Sequence, residues 1–218
     1  MLRYVGAQGQ GGNLEVDLNW IHRVPLEPIQ RLDSRPLGSF IAKSVPTLDL
    51  HELAGGKLAA LLDRSASRDI FDACGLFEHP DLDLEKLRLA FVVMGAMSRT
   101  TDLRKVHSGG TTIDKQDFRN SVEPLLRVRG PELDLEAMQE TCRHGLSKLL
   151  PLRSSETAFL DALWDRGEIH PEYLTTDAGT QGRILSMPML LWKAQHVGRP
   201  KGTSLAGRNK PSKRNVRR

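Results

Sequence analysis

The 218-residue sequence predicts an α+β protein, with a few short strands in the first 47 residues followed by a mostly helical lobe. Two observations carry this. Leu14, Val16, Leu18 and Trp20 alternate with Asn13, Glu15, Asp17 and Asn19, the period of two of a half-buried strand. From Asp49 onward the apolar spacing is that of helices, punctuated by aspartates placed to cap them and by stopping prolines and glycines.

In chain order, Leu2–Val5 reads as a short strand before a Gly/Gln-rich turn, and the alternating strand follows over 13–20. Pro25, Pro28 and Pro36 make 24–39 a loop or edge, and Phe40–Val45 reads as a strand. Asp49 and Glu52 have capping-box spacing at the start of a helix whose apolar residues are Leu50, Leu53, Ala54, Leu58, Leu61 and Leu62. At ~100° per residue these occupy an arc of roughly 180°, and Lys57 and Arg64 fall inside it. Gly55-Gly56 interrupts this helix, at a cost of ~1 kcal/mol per glycine relative to alanine. The pair admits either a close approach of backbone or phosphate, or a frayed helix.

A second helix holds Asp69 and Asp72 on one face, with Arg68 spaced to pair with Asp72. Lys57 is expected to face Asp69 and Asp72 across the turn, opening on the Asp17 face of the sheet. Such pairs also lace helices together without any chemistry. Beyond Phe77 helices are expected over about 84–97, from Asp114 to Glu123, from Asp134 to Leu150, from Ser155 to Arg166, and from Pro188 to about Val197. This divides the chain into 1–77, a helical lobe over 78–197, and a tail over 198–218.

Charge is unevenly placed. Eight of the 31 Lys and Arg lie in 198–218, which has no acid, so the other 23 face all 27 Asp and Glu: the body carries −4 and the tail +8. With few apolar residues the tail is expected to be disordered, and Arg208, Lys210, Lys213, Arg214, Arg217 and Arg218 are its candidate nucleic-acid contacts. No apolar run is long enough for a membrane span, and no signal peptide is seen, so the expected location is the cytoplasm. Cys74 and Cys142 stand outside any CxxC or Cys/His cluster, which argues against structural zinc. No Ser/His/Asp triad or P-loop pattern is present.

The string from Glu52 through Leu53, Lys57, Leu58, Ala60, Leu61 and Arg64 to Arg68, Asp69 and Asp72 resembles the signature of the AbiEii/AbiGii nucleotidyltransferase toxins, E-L-x-x-x-K-L-x-A-L-x-x-R followed by R-D-x-x-D. Residues 13–26, 159–174 and 188–193 resemble flanking stretches of that family, so the likeness covers about 13–197. It implies the C-terminal part of a polymerase-β-like nucleotidyltransferase sheet in 1–77, and transfer of a nucleoside monophosphate from an NTP to an RNA acceptor such as tRNA. It also implies Mg²⁺, a toxin–antitoxin or abortive-infection setting, and a cognate antitoxin. Residue by residue, it assigns Asp17 to the metal, with Glu15 as fallback on the same face. Lys57 goes to the nucleotide phosphates, Arg64, Arg68 and Asp72 to the nucleotide pocket, and Lys57, Asp69 and Asp17 to catalysis.

Members of that family carry a Gly-Ser turn and a D-x-D/E pair ahead of the strand that holds Asp17, and neither precedes Asp17 here. The expectation is therefore an N-terminally shortened member whose metal site is incomplete and which transfers no nucleotide by itself. A non-catalytic RNA- or partner-binding module and an inert remnant are the alternatives.

Overall fold

The computed structural model describes residues 2–6, 9–16, 18–110, 112, 114–126 and 134–197. Asp17 and the whole basic tail, with Arg208, Lys210, Lys213, Arg214, Arg217 and Arg218, lie outside the described residues. Within them the protein combines helices with two small antiparallel sheets, an α+β arrangement.

The first sheet is a hairpin of β1 (Leu2–Val5) and β2 (Gly11–Leu14), with Leu2 opposite Leu14. The strand expected over 13–20 therefore ends at Leu14, and Leu14, Val16, Leu18 and Trp20 are all exposed rather than half-buried. Alternation predicts which side chains share a face, but burial also needs a layer to cover that face, and no described element packs over this one. The second sheet pairs β3 (Gln30–Leu32) with β4 (Val45–Thr47). The expected strand over 40–45 is displaced toward the helix. Asp33 accepts from the Ser44 N–H and from Lys43, which turns the chain just before β4.

The helical body contains α1 (Leu50–Arg64), α2 (Ser67–Phe77), α3 (Leu84–Ala96), α4 (Lys115–Ser121), α5 (Leu135–Ser147), α6 (Ser154–Asp161), α7 (Ala178–Ser186) and α8 (Pro188–Gln195). Asp83, Asp114 and Asp134 each accept two backbone N–H groups of the following turn, as the sequence predicts for N-caps. Helix α6 starts one residue before Ser155. Glu156 reaches back to the Arg153 N–H, and a π-helical turn at Ala162–Arg166 ends at Gly167, which takes the left-handed conformation. Helix α7, capped by Asp177, was not among the predicted elements.

One apolar core gathers Leu26, Ala54, Leu58, Leu61, Ile70, Phe91, Val93, Leu146, Phe159, Ile184 and Leu190, so residues on both sides of position 77 share it. Helix α1 meets α3 at Gly55, where a Cβ would lie 2.7 Å from the Ala90 carbonyl carbon. This close approach sets which side of α1 is covered. Ala54, Gly55, Leu58 and Leu61 are buried, whereas Leu53 and Lys57 turn outward. The placement of Lys57 inside a buried arc is thereby corrected, because its half of that arc faces solvent. Gly56 has open space around its Cβ position.

A buried ion pair joins the two ends of the core. Arg88 on α3 grips Glu156 on α6 through Nε at 2.6 Å and Nη2 at 2.8 Å. Nη1 and Nη2 also donate to the carbonyls of Lys148 and Pro151, each at 3.1 Å. A buried guanidinium is tolerable when its donors are satisfied in this way. Among the described residues, no helix is long and apolar enough to cross a membrane.

Candidate functional site

The turn between α1 and α2 builds the site. Ser65, in the left-handed region at φ 49°, closes α1 by donating its N–H to Leu61 O. Ala66 offers α2 no capping side chain, and the Ser67 N–H goes instead to Asp117 of α4 at 3.0 Å. That contact holds the Asp117 carboxyl below its usual range.

Two cations of α1 then meet two carboxylates of α2. Lys57 Nζ donates to Asp72 Oδ2 at 2.5 Å. Arg64 binds Asp69 with both arms of its fork, Nε to Oδ2 at 2.6 Å and Nη2 to Oδ1 at 2.7 Å. Asp69 is 1% exposed, while the side chains of Lys57 and Arg64 are 51% and 49% exposed. The carboxylate beneath Arg64 thus fixes the guanidinium in a cationic position that still faces water, and its hydrogen bonds raise the Arg64 pKa. Lys57 faces Asp72 but not Asp69, which Arg64 takes. Arg68 is exposed and does not hold Asp72, because Lys57 does so. Its charge instead helps lower the Asp117 pKa.

Glu52 does something its sequence position did not disclose. Instead of completing a capping box, its Oε2 accepts the N–H groups of Leu26 at 2.9 Å and Glu27 at 3.2 Å. Arg183 of α7 donates Nε to Leu26 O at 2.6 Å, so both polar groups of Leu26 are held by charged side chains. Burial pushes the Glu52 carboxyl above its ordinary value, with the two N–H groups opposing that rise. The Asp49 cap is shared with His51, whose Nδ1 lies 2.8 Å from Asp49 Oδ1 and whose Nε2 accepts the Asp83 N–H at 2.9 Å. A carboxylate on the covered side of α1 was the available signal for Glu52. Its partner, 26 residues earlier, was not.

The carboxylates of this turn do not fit a Mg²⁺ site. Both oxygens of Asp69 are occupied by Arg64, and Asp72 is bound by Lys57. Among the described residues, no group of three or more His, Cys, Asp or Glu side chains is placed to hold a metal ion. Glu15 is exposed just past β2.

What remains is a helix pair that presents two half-exposed cations, each backed by a carboxylate, an arrangement suited to binding and orienting phosphates. The family model for the nucleotidyl transferase AbiEii toxin of type IV toxin–antitoxin systems matches residues 1–166, and the chain belongs to that family. No curated protein and no solved structure matches the chain. The match contains the whole α1–α2 site, whereas α7 and α8 lie beyond it.

Proposed function

We propose that the α1–α2 turn is the triphosphate-binding half of a nucleotidyltransferase centre, in a protein whose family reaction moves a nucleoside monophosphate from an NTP to an RNA acceptor such as tRNA. The observation that carries this reading is that Lys57 and Arg64 are both half-exposed and both anchored from α2, within the region matched by the family. Anionic phosphate oxygens displace Asp72 from Lys57, since an exposed ion pair is worth only about 0.2–1 kcal/mol. Asp69 stays in place beneath Arg64 and keeps the guanidinium aimed outward. Arg68, one turn from Asp72 and exposed, adds charge at the rim.

In this reading the short N-terminal strands belong to a polymerase-β-like sheet, and Asp17 would be one ligand of a Mg²⁺ that would supply counter-charge to the triphosphate. The carboxylates for the metal then have to come from beyond the described residues, so nucleotide binding and nucleotide transfer are separable properties of this chain. A cognate antitoxin is the partner that the family suggests, and the cytoplasm is the compartment where NTP and RNA acceptor meet.

The experiment uses the full 218-residue chain. NTP binding is measured by calorimetry, and transfer by incubation with labelled NTPs, Mg²⁺ and total tRNA. The expected result is NTP binding that Lys57→Ala weakens at least tenfold, with no label transferred by the chain alone. Binding unaffected by Lys57→Ala overturns the site, and labelling abolished by Asp17→Ala overturns the separation of binding from transfer.

A further inference from the structure

Helix α8 buries Leu190 and, just before its first turn, Met187, while Leu191 and Trp192 point outward. Trp192 is 42% exposed. Its indole stacks on the imidazole of His196, with centroids 4.4 Å apart and planes 19° from parallel. His196 Nδ1 lies 2.6 Å from the Trp192 carbonyl oxygen. A carbonyl only accepts, so this contact fixes the proton on Nδ1 and locks the ring one turn beyond the indole. The Arg99 guanidinium sits 5.7 Å from the Trp192 ring centroid. Arg99 is exposed and has no carboxylate partner among the described residues.

The loop carrying Arg99 is tied to the C-terminal end of α1. Ser98 Oγ donates to Asp63 Oδ1 at 2.5 Å, and Thr101 Oγ1 donates to Leu62 O at 3.3 Å. The ledge therefore adjoins the helix end that carries Arg64. In sequence, Val197 is followed by residues 198–218, which hold eight cations and no acid.

Trp164 is a useful contrast. Its ring packs against the core and its Nε1–H is bound to Ala96 O, with Arg104 and Lys193 over the ring. Trp192 and His196 are a pre-stacked aromatic pair on the surface, with a cation beside them.

We propose that Trp192, His196 and Arg99 form a stacking ledge for an unpaired base of a single-stranded nucleic acid. An aromatic face takes any base, at about 1–3 kcal/mol per stacked base, and a neighbouring guanidinium adds attraction to the ring system and to the phosphate that follows. Helix-spaced aromatic pairs also occur for helix stability alone. The Arg99 cation beside the rings favours the nucleic-acid occupant, because it supplies counter-charge to the phosphate next to a stacked base, and the sequence after α8 is rich in Lys and Arg. The site requires no nucleotide transfer, so a chain that is inactive in transfer still shows it.

The test measures binding of a short fluorescent oligouridylate RNA, the same DNA sequence, and a duplex RNA of equal length to the full chain. Trp192→Leu is expected to weaken single-strand binding about tenfold, to leave duplex binding within about twofold, and to leave the salt dependence unchanged. Trp192→Phe, which retains a ring, recovers most of the affinity and loses most of the tryptophan quenching seen on adding the oligonucleotide. RNA and DNA single strands weakened alike assign the ledge to bases in general; RNA weakened alone assigns it to RNA. Equal affinity of wild type and Trp192→Leu for both single strands, or equal loss for duplex and single strand, overturns the proposal. Quenching that persists in Trp192→Phe overturns it independently of how well Trp192→Leu folds.

Discussion

Lys57 and Asp72 form their 2.5 Å ion pair in water-facing surroundings, whereas their neighbours Arg64 and Asp69 form theirs over a carboxylate that is all but buried. The two pairs look alike in the sequence and differ in consequence. The first can exchange partners, and the second holds a cation in position. Replacing Asp72 by Asn removes the competitor for Lys57 without changing side-chain size. NTP affinity is expected to rise, by no more than about fivefold given the worth of an exposed pair. Global stability should change by less than about 1 kcal/mol on the same grounds. Calorimetric titration of Asp72→Asn beside wild type checks this, and weaker NTP binding in the variant would show that Asp72 contacts the ligand rather than competing with it.

Glu52 gives a pH prediction. Its ordinary value is 4.5, and burial raises it in the folded protein. Between 4.5 and the folded value, the folded chain holds a proton that the unfolded chain has released. Stability contributed by this residue therefore falls as pH rises through that window, and the penalty is complete above it. Glu52→Gln keeps an acceptor for the Leu26 and Glu27 N–H groups without the buried charge. Its stability relative to wild type is expected to increase from pH 4.5 upward and then level off. Glu52→Ala orphans those N–H groups, at about 1–3 kcal/mol for a buried unsatisfied donor. Urea unfolding at a series of pH values separates the two variants. A Gln variant that loses ground as pH rises contradicts this account.

Features governed by residues two to four apart were legible in the sequence. Asp83, Asp114 and Asp134 cap helices because their carboxylates reach N–H groups of the very next turn. Gly167 stops a helix because it tolerates positive φ. Lys57 and Asp72 were brought near each other by one turn and a helix repeat. Which side of α1 is covered was not legible, because the Gly55–Ala90 approach to α3 decides it. The same limit applies to Leu14, Val16, Leu18 and Trp20, whose alternation is local but whose burial is not. Glu52 satisfied a local motif yet was claimed by Leu26. The Trp192–His196 stack is a helical i, i+4 relationship open to a sequence reader, but Arg99, 93 residues earlier, completes it only in three dimensions.

Arg88 and Glu156 lie 68 positions apart and hold α3 to α6. Replacing either alone leaves a buried, uncompensated charge, and Arg88→Met is expected to cost about 3–5 kcal/mol. Glu156→Gln keeps acceptor geometry toward Arg153 but not the charge, and should cost somewhat less. Combining Arg88→Met with Glu156→Gln is expected to be less destabilising than the sum of the two, because the double variant buries no net charge. A double-mutant cycle by chemical denaturation measures that difference. Strict additivity would mean that the two side chains act through their separate backbone contacts rather than through each other.

The basic segment 198–218 supplies the last prediction, from charge alone. The rest of the chain carries −4 and has no general attraction for RNA, whereas this segment carries +8. If it is the electrostatic contact, its signature is counterion release, with each neutralised phosphate of a single strand contributing roughly −0.7 to the log–log slope of affinity against salt. With about half of its cations engaged, that rule gives a slope near roughly −3. Deleting 198–218 is then expected to flatten the slope by about that amount and to weaken binding to single-stranded and duplex RNA alike, since phosphates are common to both. Because the segment has few apolar residues to pack, its deletion is expected to leave the unfolding midpoint unchanged. This pattern is the converse of the one expected for Trp192→Leu, which should lower single-strand affinity at an unchanged slope. Measuring both variants over the same salt series separates charge from stacking. A tail-less protein with the wild-type slope would place the phosphate contacts on the body, at Lys57, Arg64 and Arg99, instead.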